Sequence, residues 1–113
     1  METVLIVDDE KNYPLILSAI LEEEGFETFT ANSGRDALEI LTNTDIDLVL
    51  TDMKMPSMDG IELLERIKDK DQDLPVIMMT AHGTVDKAVE AMQKGAYSYI
   101  LKPFENDQLI VYV

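Results

Sequence analysis

Carboxylate side chains follow two apolar runs of the sequence. Asp8, Asp9 and Glu10 come directly after the run Thr3–Val7, and Asp52 ends a second run. If these runs form neighbouring parallel strands, their carboxyl ends meet at one edge of the sheet and the side chains converge. Carboxylates at close range repel one another, and a hard divalent cation such as Mg²⁺, which prefers oxygen ligands, relieves that repulsion. The pattern therefore predicts a magnesium site at this edge.

Two further apolar runs end in side chains that can contact a phosphoryl group. Thr80 ends one run and supplies a hydroxyl, and Lys102 ends another and supplies an ammonium group. An aspartate can act as a nucleophile and form an acyl phosphate. Such a transfer depends on positioning and charge neutralisation more than on acid–base help. The set predicts phosphoryl transfer onto a carboxylate from a separate phosphodonor.

The positions of these side chains require strands that alternate with helices. Continuous β-branched and aliphatic runs predict strands at Thr3–Val7, Asp47–Thr51 and Pro75–Thr80, and weaker ones at Thr28–Ala31 and Ser98–Leu101. Apolar residues at helical spacing lie between them. Strand–helix order repeated five times predicts an α/β fold: a doubly wound five-stranded parallel sheet, flavodoxin-like, with strand order 2-1-3-4-5 and helices on both faces.

Pro14 and three polar residues mark where the helices begin. Pro14 suits the first turn of the first helix, and Ser33, Asp59 and Thr84 are predicted N-caps of the next three. The apolar face of the first helix is predicted to comprise Tyr13, Ile16, Leu17, Ile20 and Leu21. A fifth helix is predicted to start near Asn106 and to run to the end of the chain.

Length and composition exclude several classes of protein. The 113 residues suit one domain, residues 1–113. The net charge of −14 disfavours direct binding to nucleic acid or to an anionic membrane. The absence of cysteine excludes disulfides and thiol catalysis. With no apolar run near the ~20 residues of a membrane span, and no signal peptide at the N-terminus, the chain is predicted to be soluble and cytoplasmic.

Four segments of the sequence resemble the receiver domain of bacterial two-component response regulators. They occur in the order and at about the separations usual for that family, and the likeness covers essentially the whole chain. The segments are VDDE (Val7–Glu10), LTDMKMPSMDG (Leu50–Gly60), MTAHG (Met79–Gly83) and ILKPF (Ile100–Phe104). The resemblance implies a phosphorylation-activated switch rather than an enzyme, one that catalyses only its own phosphorylation and dephosphorylation.

The resemblance also implies a role for each acidic residue at the strand ends. Asp52 would be the phosphoacceptor and would bind Mg²⁺ as well. Asp9 would bind the ion directly, Asp8 would assist through water, and the carbonyl of Lys54 would be a further ligand. Mg²⁺ is the implied cofactor.

The remaining motif residues are implied to sense the phosphoryl group. Lys102 would contact it, and the peptide between Lys102 and Pro103 would be cis. Thr80 would be the switch hydroxyl that moves to bond the phosphoryl group, and Tyr99 would be its aromatic partner. His82 and Lys54 occupy positions where receivers tune the rate of dephosphorylation.

The resemblance implies partners as well. A sensor histidine kinase would supply the phosphoryl group. Phosphorylation would then change the face made by helix 4, strand 5 and helix 5, which would control homodimerisation or an output domain missing from this chain. The segment from Met79 to Phe104 is most like receivers of nitrogen-regulation-type sigma-factor-dependent transcription activators. The fifth helix is shorter than the family's and is predicted to be truncated.

Three alternatives fit part of the pattern. A flavodoxin-like cofactor carrier would have a first loop rich in Ser, Thr and Gly, but this loop reads DDEKN. A haloacid-dehalogenase-type phosphatase would have a second aspartate two residues after Asp52, where this chain has Lys54. A pseudo-receiver that acts only as a binding module usually lacks one of the acidic residues or the lysine, and here all are present.

Overall fold

The structure is a computed structural model. It describes residues 2–10, 12–53, 55, 57–80 and 85–101, with only the backbone of residues 80, 85, 86, 88 and 101. The elements are β1 (Thr3–Val7), α1 (Tyr13–Glu23), β2 (Glu27–Ala31), α2 (Gly34–Asn43), β3 (Leu48–Asp52), α3 (Gly60–Lys70), β4 (Val76–Thr80), α4 (Val85–Gln93) and β5 (Ser98–Leu101).

The five strands form one parallel sheet in the order β2-β1-β3-β4-β5. The predicted fold class and strand order are therefore confirmed. The predicted N-cap Thr84 and the predicted fifth helix near Asn106 lie outside the described residues. No helix in the described part of the chain combines the length and the apolar character that crossing a bilayer requires.

Alternate residues of each central strand are buried on opposite faces of the sheet. In β1, Leu5 and Val7 belong to a core cluster shared with α2, α3 and α4, whereas Val4 and Ile6 belong to a cluster shared with α1. A strand covered on both faces reads as a continuous apolar run because every side chain must leave water. This double burial makes the sheet a rigid base from which the strand ends project.

Two of the predicted strands begin one residue later than expected. Asp47 donates its N–H to the carbonyl of Thr3 at 2.8 Å, and its Oδ2 accepts from the N–H of Thr3 at 2.8 Å. The Asp47 side chain therefore bonds the first residue of β1 just before β3 begins. β3 runs from Leu48 and includes Asp52. Pro75 has no N–H, so it precedes β4 and contributes only its carbonyl, which accepts from Val49 at 3.0 Å.

The starts of α2 and α3 follow from capping chemistry. Ser33 Oγ accepts from the N–H of Asp36 at 3.1 Å, and Asp59 Oδ1 accepts from the N–H of Glu62 at 2.9 Å. Each side chain thereby satisfies an N–H that has no partner inside its own helix. These caps fix where α2 and α3 begin at the carboxyl edge of the sheet.

One predicted core residue of α1 lies at the surface instead. Leu17 and Leu21 are buried as expected, but Ile16 is 56% exposed and its neighbour Leu15 is 63% exposed. Consecutive apolar residues span more than one face of a helix, so periodicity alone cannot say which of them pack. The prediction for Ile16 was wrong for this reason.

Candidate metal centre

Three carboxylates meet at the carboxyl ends of β1 and β3. The two strands are neighbours, with Val7 paired to Thr51, so the residues that follow them share one edge of the sheet. One carboxylate oxygen from each of Asp8, Asp9 and Asp52 lies within 4.8 Å of the other two. The structure thus brings together the three aspartates that sequence reasoning placed at one site.

The three aspartates differ in their access to solvent. Asp8 is fully buried, Asp52 is half-buried and Asp9 is exposed. Asp8 is held by its N–H, which donates to the carbonyl of Ala31 at 3.1 Å, and its Oδ1 accepts from the N–H of Glu10 at 3.0 Å. The site therefore opens to solvent from one side, with its most tightly held carboxylate at the base.

The donor set fits a hard divalent cation. Mg–O bonds of about 2.1 Å place ligand oxygens about 3.0 Å apart when adjacent and about 4.2 Å apart when opposite in an octahedron. Oxygens that all lie within 4.8 Å of one another can therefore contact one such ion after small side-chain movements. Carboxylate oxygens suit hard cations such as Mg²⁺, Ca²⁺ and Mn²⁺ rather than softer metals.

Tyr13 adds a hydroxyl to the surroundings of the site. It is half-buried at the start of α1, and its ring packs against the core cluster that includes Ile6. Burial, followed by the negative charges of Asp8, Glu10 and Asp52, raises the pKa of Tyr13 to about 12. Sequence reasoning treated Tyr13 only as part of a helix face. Its position directly after the acidic loop is the signal that could have predicted its proximity to the site.

The structure describes only some of the other predicted site residues. Thr80 ends β4 and pairs with Leu101 of β5, so its backbone lies at the same edge as Asp52. Tyr99 lies in β5 beside Met78 and is 41% exposed. The remaining predicted residues lie outside the described part of the chain: Lys54, His82, Lys102 and Pro103.

Comparison with known proteins identifies the family of the chain. The sequence model described as "Response regulator receiver domain" matches residues 4–113. The chain belongs to this family. The receiver is thus a phosphorylation-activated switch of two-component signalling, and the family predicted from the four sequence segments is confirmed.

Several curated relatives of the receiver are transcription regulators. It is 46% identical over 106 residues to the regulatory protein AtoC of Escherichia coli strain K12, and 43% identical over 108 residues to the DNA-binding transcriptional regulator NtrC of Klebsiella pneumoniae. These matches cover 94% and 96% of the receiver but only 23% of each relative. The receiver therefore spans about a quarter of the length of these regulators.

Another relative has about the length of the receiver itself. The sporulation initiation phosphotransferase F of Bacillus subtilis strain 168 is 44% identical over 108 residues, which is 96% of the receiver and 87% of that protein. A solved receiver domain structure from Clostridium thermocellum has a TM-score of 0.94 at 37% identity and covers 98% of the receiver and 90% of that chain. The three-dimensional fold is thus that of receiver domains.

Proposed function

We propose that Asp52 accepts a phosphoryl group from a phosphohistidine of a sensor histidine kinase. A carboxylate oxygen of Asp52 forms the new bond to phosphorus, the P–N bond of the phosphohistidine breaks, and the imidazole takes up a proton. The observation that carries this proposal is the convergence of Asp8, Asp9 and Asp52 within 4.8 Å at the end of two neighbouring strands. In this role the domain catalyses only its own phosphorylation and dephosphorylation.

Burial and backbone contacts favour Asp52 over its two neighbours as the nucleophile. Asp8 is fully buried, which blocks the approach of a phosphodonor, and Asp9 lies exposed in the loop after β1. Asp52 is both half-buried and part of a paired strand, where it lies beside Met79. It therefore combines access with a fixed position, which an in-line attack requires.

The other carboxylates and the motif residues support the reaction. Asp8 and Asp9, with Asp52 and the carbonyl of Lys54, are the residues that would hold Mg²⁺. When bound, the ion offsets the negative charge that Asp52 and the incoming phosphoryl group bring together. Lys102 is expected to contact the phosphoryl oxygens, since the fifth strand ends at the same edge. The peptide bond between Lys102 and Pro103 is expected to be cis.

Thr80 and Tyr99 are proposed to carry the signal away from Asp52. The hydroxyl of Thr80 would bond the new phosphoryl group, and the ring of Tyr99 would turn inward as Thr80 moves. Two observations support this path: Thr80 ends the strand next to β3, and Tyr99 is 41% exposed in the strand beyond it. An exposed ring on β5 has room to change its packing.

Exposed apolar side chains of α4, of β5 and of Tyr97 between them, here called the apolar patch on α4 and β5, are the proposed surface for homodimerisation or for an output domain. Val89, Met92, Tyr97 and Tyr99 are 47%, 43%, 67% and 41% exposed, and they are four of the six large apolar side chains that are exposed in the described part of the chain. Several exposed apolar side chains within one stretch of the chain, residues 89–99, make a candidate interaction surface. The patch belongs to the helix 4–strand 5–helix 5 face predicted from the resemblance.

The relatives favour a role in transcription regulation. AtoC and NtrC are named as regulators and are about four times as long as this chain. We infer that the receiver acts in the cytoplasm, receives its signal from a sensor histidine kinase and controls an output domain of comparable kind, without direct contact of the receiver with nucleic acid or membrane. The net charge of −14 supports the last point.

Phosphorylation by a small molecule tests the assignment of the phosphoacceptor. The protein is incubated with acetyl phosphate and Mg²⁺, and its intact mass is measured beside Asp52→Asn and the matched control Asp45→Asn, which removes an exposed charge elsewhere. One phosphoryl adduct is expected in the wild type and in Asp45→Asn, and none in Asp52→Asn. An adduct that persists in Asp52→Asn would refute the role of Asp52.

A further inference from the structure

A groove of about 620 Å³ runs along the open edge of the sheet between α1 and α2. We call it the edge groove and define it by Leu15 of α1, Phe29 and Thr30 of β2, and Glu39 and Ile40 of α2. One end of it reaches Asp8 and Asp9, but most of its length lies beyond the metal centre. None of these five defining residues takes part in the phosphoacceptor chemistry proposed above.

The backbone of β2 presents hydrogen-bonding groups to the edge groove. Among the described strands, β2 is the outermost and pairs only with β1. Ala31 turns its carbonyl to β1, where it accepts from the N–H of Asp8. Backbone groups alternate in direction along a strand, so Thr30 turns its N–H and carbonyl to the open edge. An edge of this kind is a template for pairing with another extended chain.

The two walls of the edge groove offer apolar contacts on opposite sides of such a chain. Leu15 on the α1 side is 63% exposed, and Phe29 and Ile40 on the α2 side are half-buried. Successive side chains of an added strand would point alternately to the two walls. Its apolar side chains would thus cover Leu15 on the α1 side, and the aliphatic stems of its basic side chains would cover Phe29 and Ile40 on the α2 side.

The charge on the rim of the edge groove has one sign. Asp9, Glu10, Asp36 and Glu39 are all exposed there. No lysine or arginine occurs among the described residues that line the groove. Basic side chains would therefore be attracted to the rim, and acidic ones would be repelled.

We propose that the edge groove binds an extended peptide segment of another protein, in which basic side chains alternate with apolar ones, as a strand added beside β2. Main-chain hydrogen bonds to β2 would supply affinity, and the apolar walls and acidic rim would supply specificity. This interaction goes beyond the phosphoacceptor function and does not depend on it.

Two labelled synthetic peptides test the proposal. One is an eight-residue alternation of lysine and valine, and the other has the same composition with four lysines followed by four valines. Fluorescence anisotropy is expected to show at least about tenfold tighter binding of the alternating peptide, a difference of about 1.4 kcal/mol. Amide hydrogen exchange is expected to slow at Thr28 and Thr30 when it binds.

Variants of the chain separate groove binding from general attraction to an acidic protein. The double variant Asp36→Asn, Glu39→Gln is expected to weaken binding of the alternating peptide roughly fivefold to tenfold. The double variant Glu22→Gln, Glu23→Gln removes the same charge from exposed positions at the end of α1 and is expected to bind as the wild type does. Thr30→Pro removes the outward N–H, which an edge strand tolerates, and is expected to abolish binding.

Three results would overturn the proposal. The first is no binding of the alternating peptide, and the second is equal binding of both peptides with no loss in the Asp36→Asn, Glu39→Gln variant. The third is slowed exchange confined to α4 and β5. Peptide binding is expected to persist in Asp52→Asn. A failure of the groove proposal is therefore distinguishable from a failure of the phosphoacceptor assignment.

Discussion

A Cβ atom at Gly60 would lie 2.3 Å from the carbonyl oxygen of Asp52. The first residue of α3 thus presses against the backbone of the last residue of β3, and the N–H of Gly60 donates to the carbonyl of Met53 at 2.9 Å. Only glycine allows this approach, because every other residue would place a carbon closer to the oxygen than the van der Waals contact distance between the two atoms. The start of α3 therefore fixes the backbone that carries the proposed phosphoacceptor.

Gly60→Ala is expected to destabilise the fold by about 2–4 kcal/mol, because the added carbon meets backbone that cannot move aside cheaply. Urea denaturation measures the change in the free energy of unfolding. Gly34→Ala is the matched control, since its added carbon would come within 2.6 Å of Met58 Sδ, the end of a flexible side chain. A smaller loss of about 1 kcal/mol is expected there. Equal losses in the two variants would contradict the proposed backbone contact.

Asp9→Asn is expected to weaken Mg²⁺ binding by roughly tenfold or more, because it removes one charged ligand from the carboxylate cluster. Isothermal titration calorimetry measures the affinity. Asp45→Asn, which changes the net charge equally at an exposed position outside the cluster, is expected to keep the wild-type affinity. Mg²⁺ is also expected to raise the thermal stability of the wild type more than that of Asp9→Asn, because a ligand that binds only the folded state stabilises it. Unchanged affinity in Asp9→Asn would argue against the proposed ligand set.

Tyr13 is expected to ionise with a pKa of about 12, because its half-buried phenol faces the charges of Asp8, Glu10 and Asp52. The difference in near-ultraviolet absorbance between the wild type and Tyr13→Phe during a pH titration isolates this group. Asp52→Asn, or Mg²⁺ held by the carboxylates, is expected to lower the pKa of Tyr13 by removing or offsetting negative charge. If the pKa of Tyr13 responds to neither change, its hydroxyl lies too far from the aspartates to sense their charge.

The raised pKa of Tyr13 also means that the free energy of unfolding falls as the pH rises through alkaline values. The folded-state pKa of Tyr13 is raised from 10.0 to about 12, so between these values the unfolded chain has released a proton that the folded chain keeps. The stabilisation is therefore complete below pH 10.0 and is lost as the pH rises towards 12. Tyr13→Phe is expected to show a weaker decline of the unfolding free energy in this window, as measured by urea denaturation at fixed pH values.

If the proposed apolar patch on α4 and β5 mediates homodimerisation, Val89→Glu is expected to weaken self-association by roughly tenfold or more, because it places a charge within that patch. Analytical ultracentrifugation measures the monomer–dimer equilibrium. Val89 is 47% exposed, so the monomer is expected to remain folded. Leu15→Glu introduces the same charge on α1, at a side chain that is 63% exposed, and serves as the control. Equal weakening by both variants would indicate charge repulsion between chains rather than a dimer face on α4 and β5.

The strand ends were predictable from sequence because two kinds of signal coincide there. Continuous apolar runs identify doubly covered strands, and polar residues directly after them must lie at the carboxyl edge. The convergence of Asp8, Asp9 and Asp52 follows from these signals once β1 and β3 are neighbours. The N-caps Ser33 and Asp59 were equally predictable, because capping depends only on residues within one turn.

Features that depend on the distance between elements could not be predicted in this way. The exposure of Ile16 depends on how α1 is rotated against the sheet, and five apolar residues at helical spacing do not fix that rotation. The field acting on Tyr13 depends on Asp52, which is distant in sequence. The edge groove exists because α1 and α2 lie on opposite faces of the sheet and leave β2 open between them.

The acidic rim of the edge groove has a consequence for the behaviour of the chain in a crowded solution. Two copies of a protein with a net charge of −14 that approached each other through β2 would bring like charges on both rims together. The same charges that attract a basic segment would thus keep β2 of one copy from extending the sheet of another. At high ionic strength, where salt screens these charges, that protection would fade, and edge-to-edge aggregation would begin at β2.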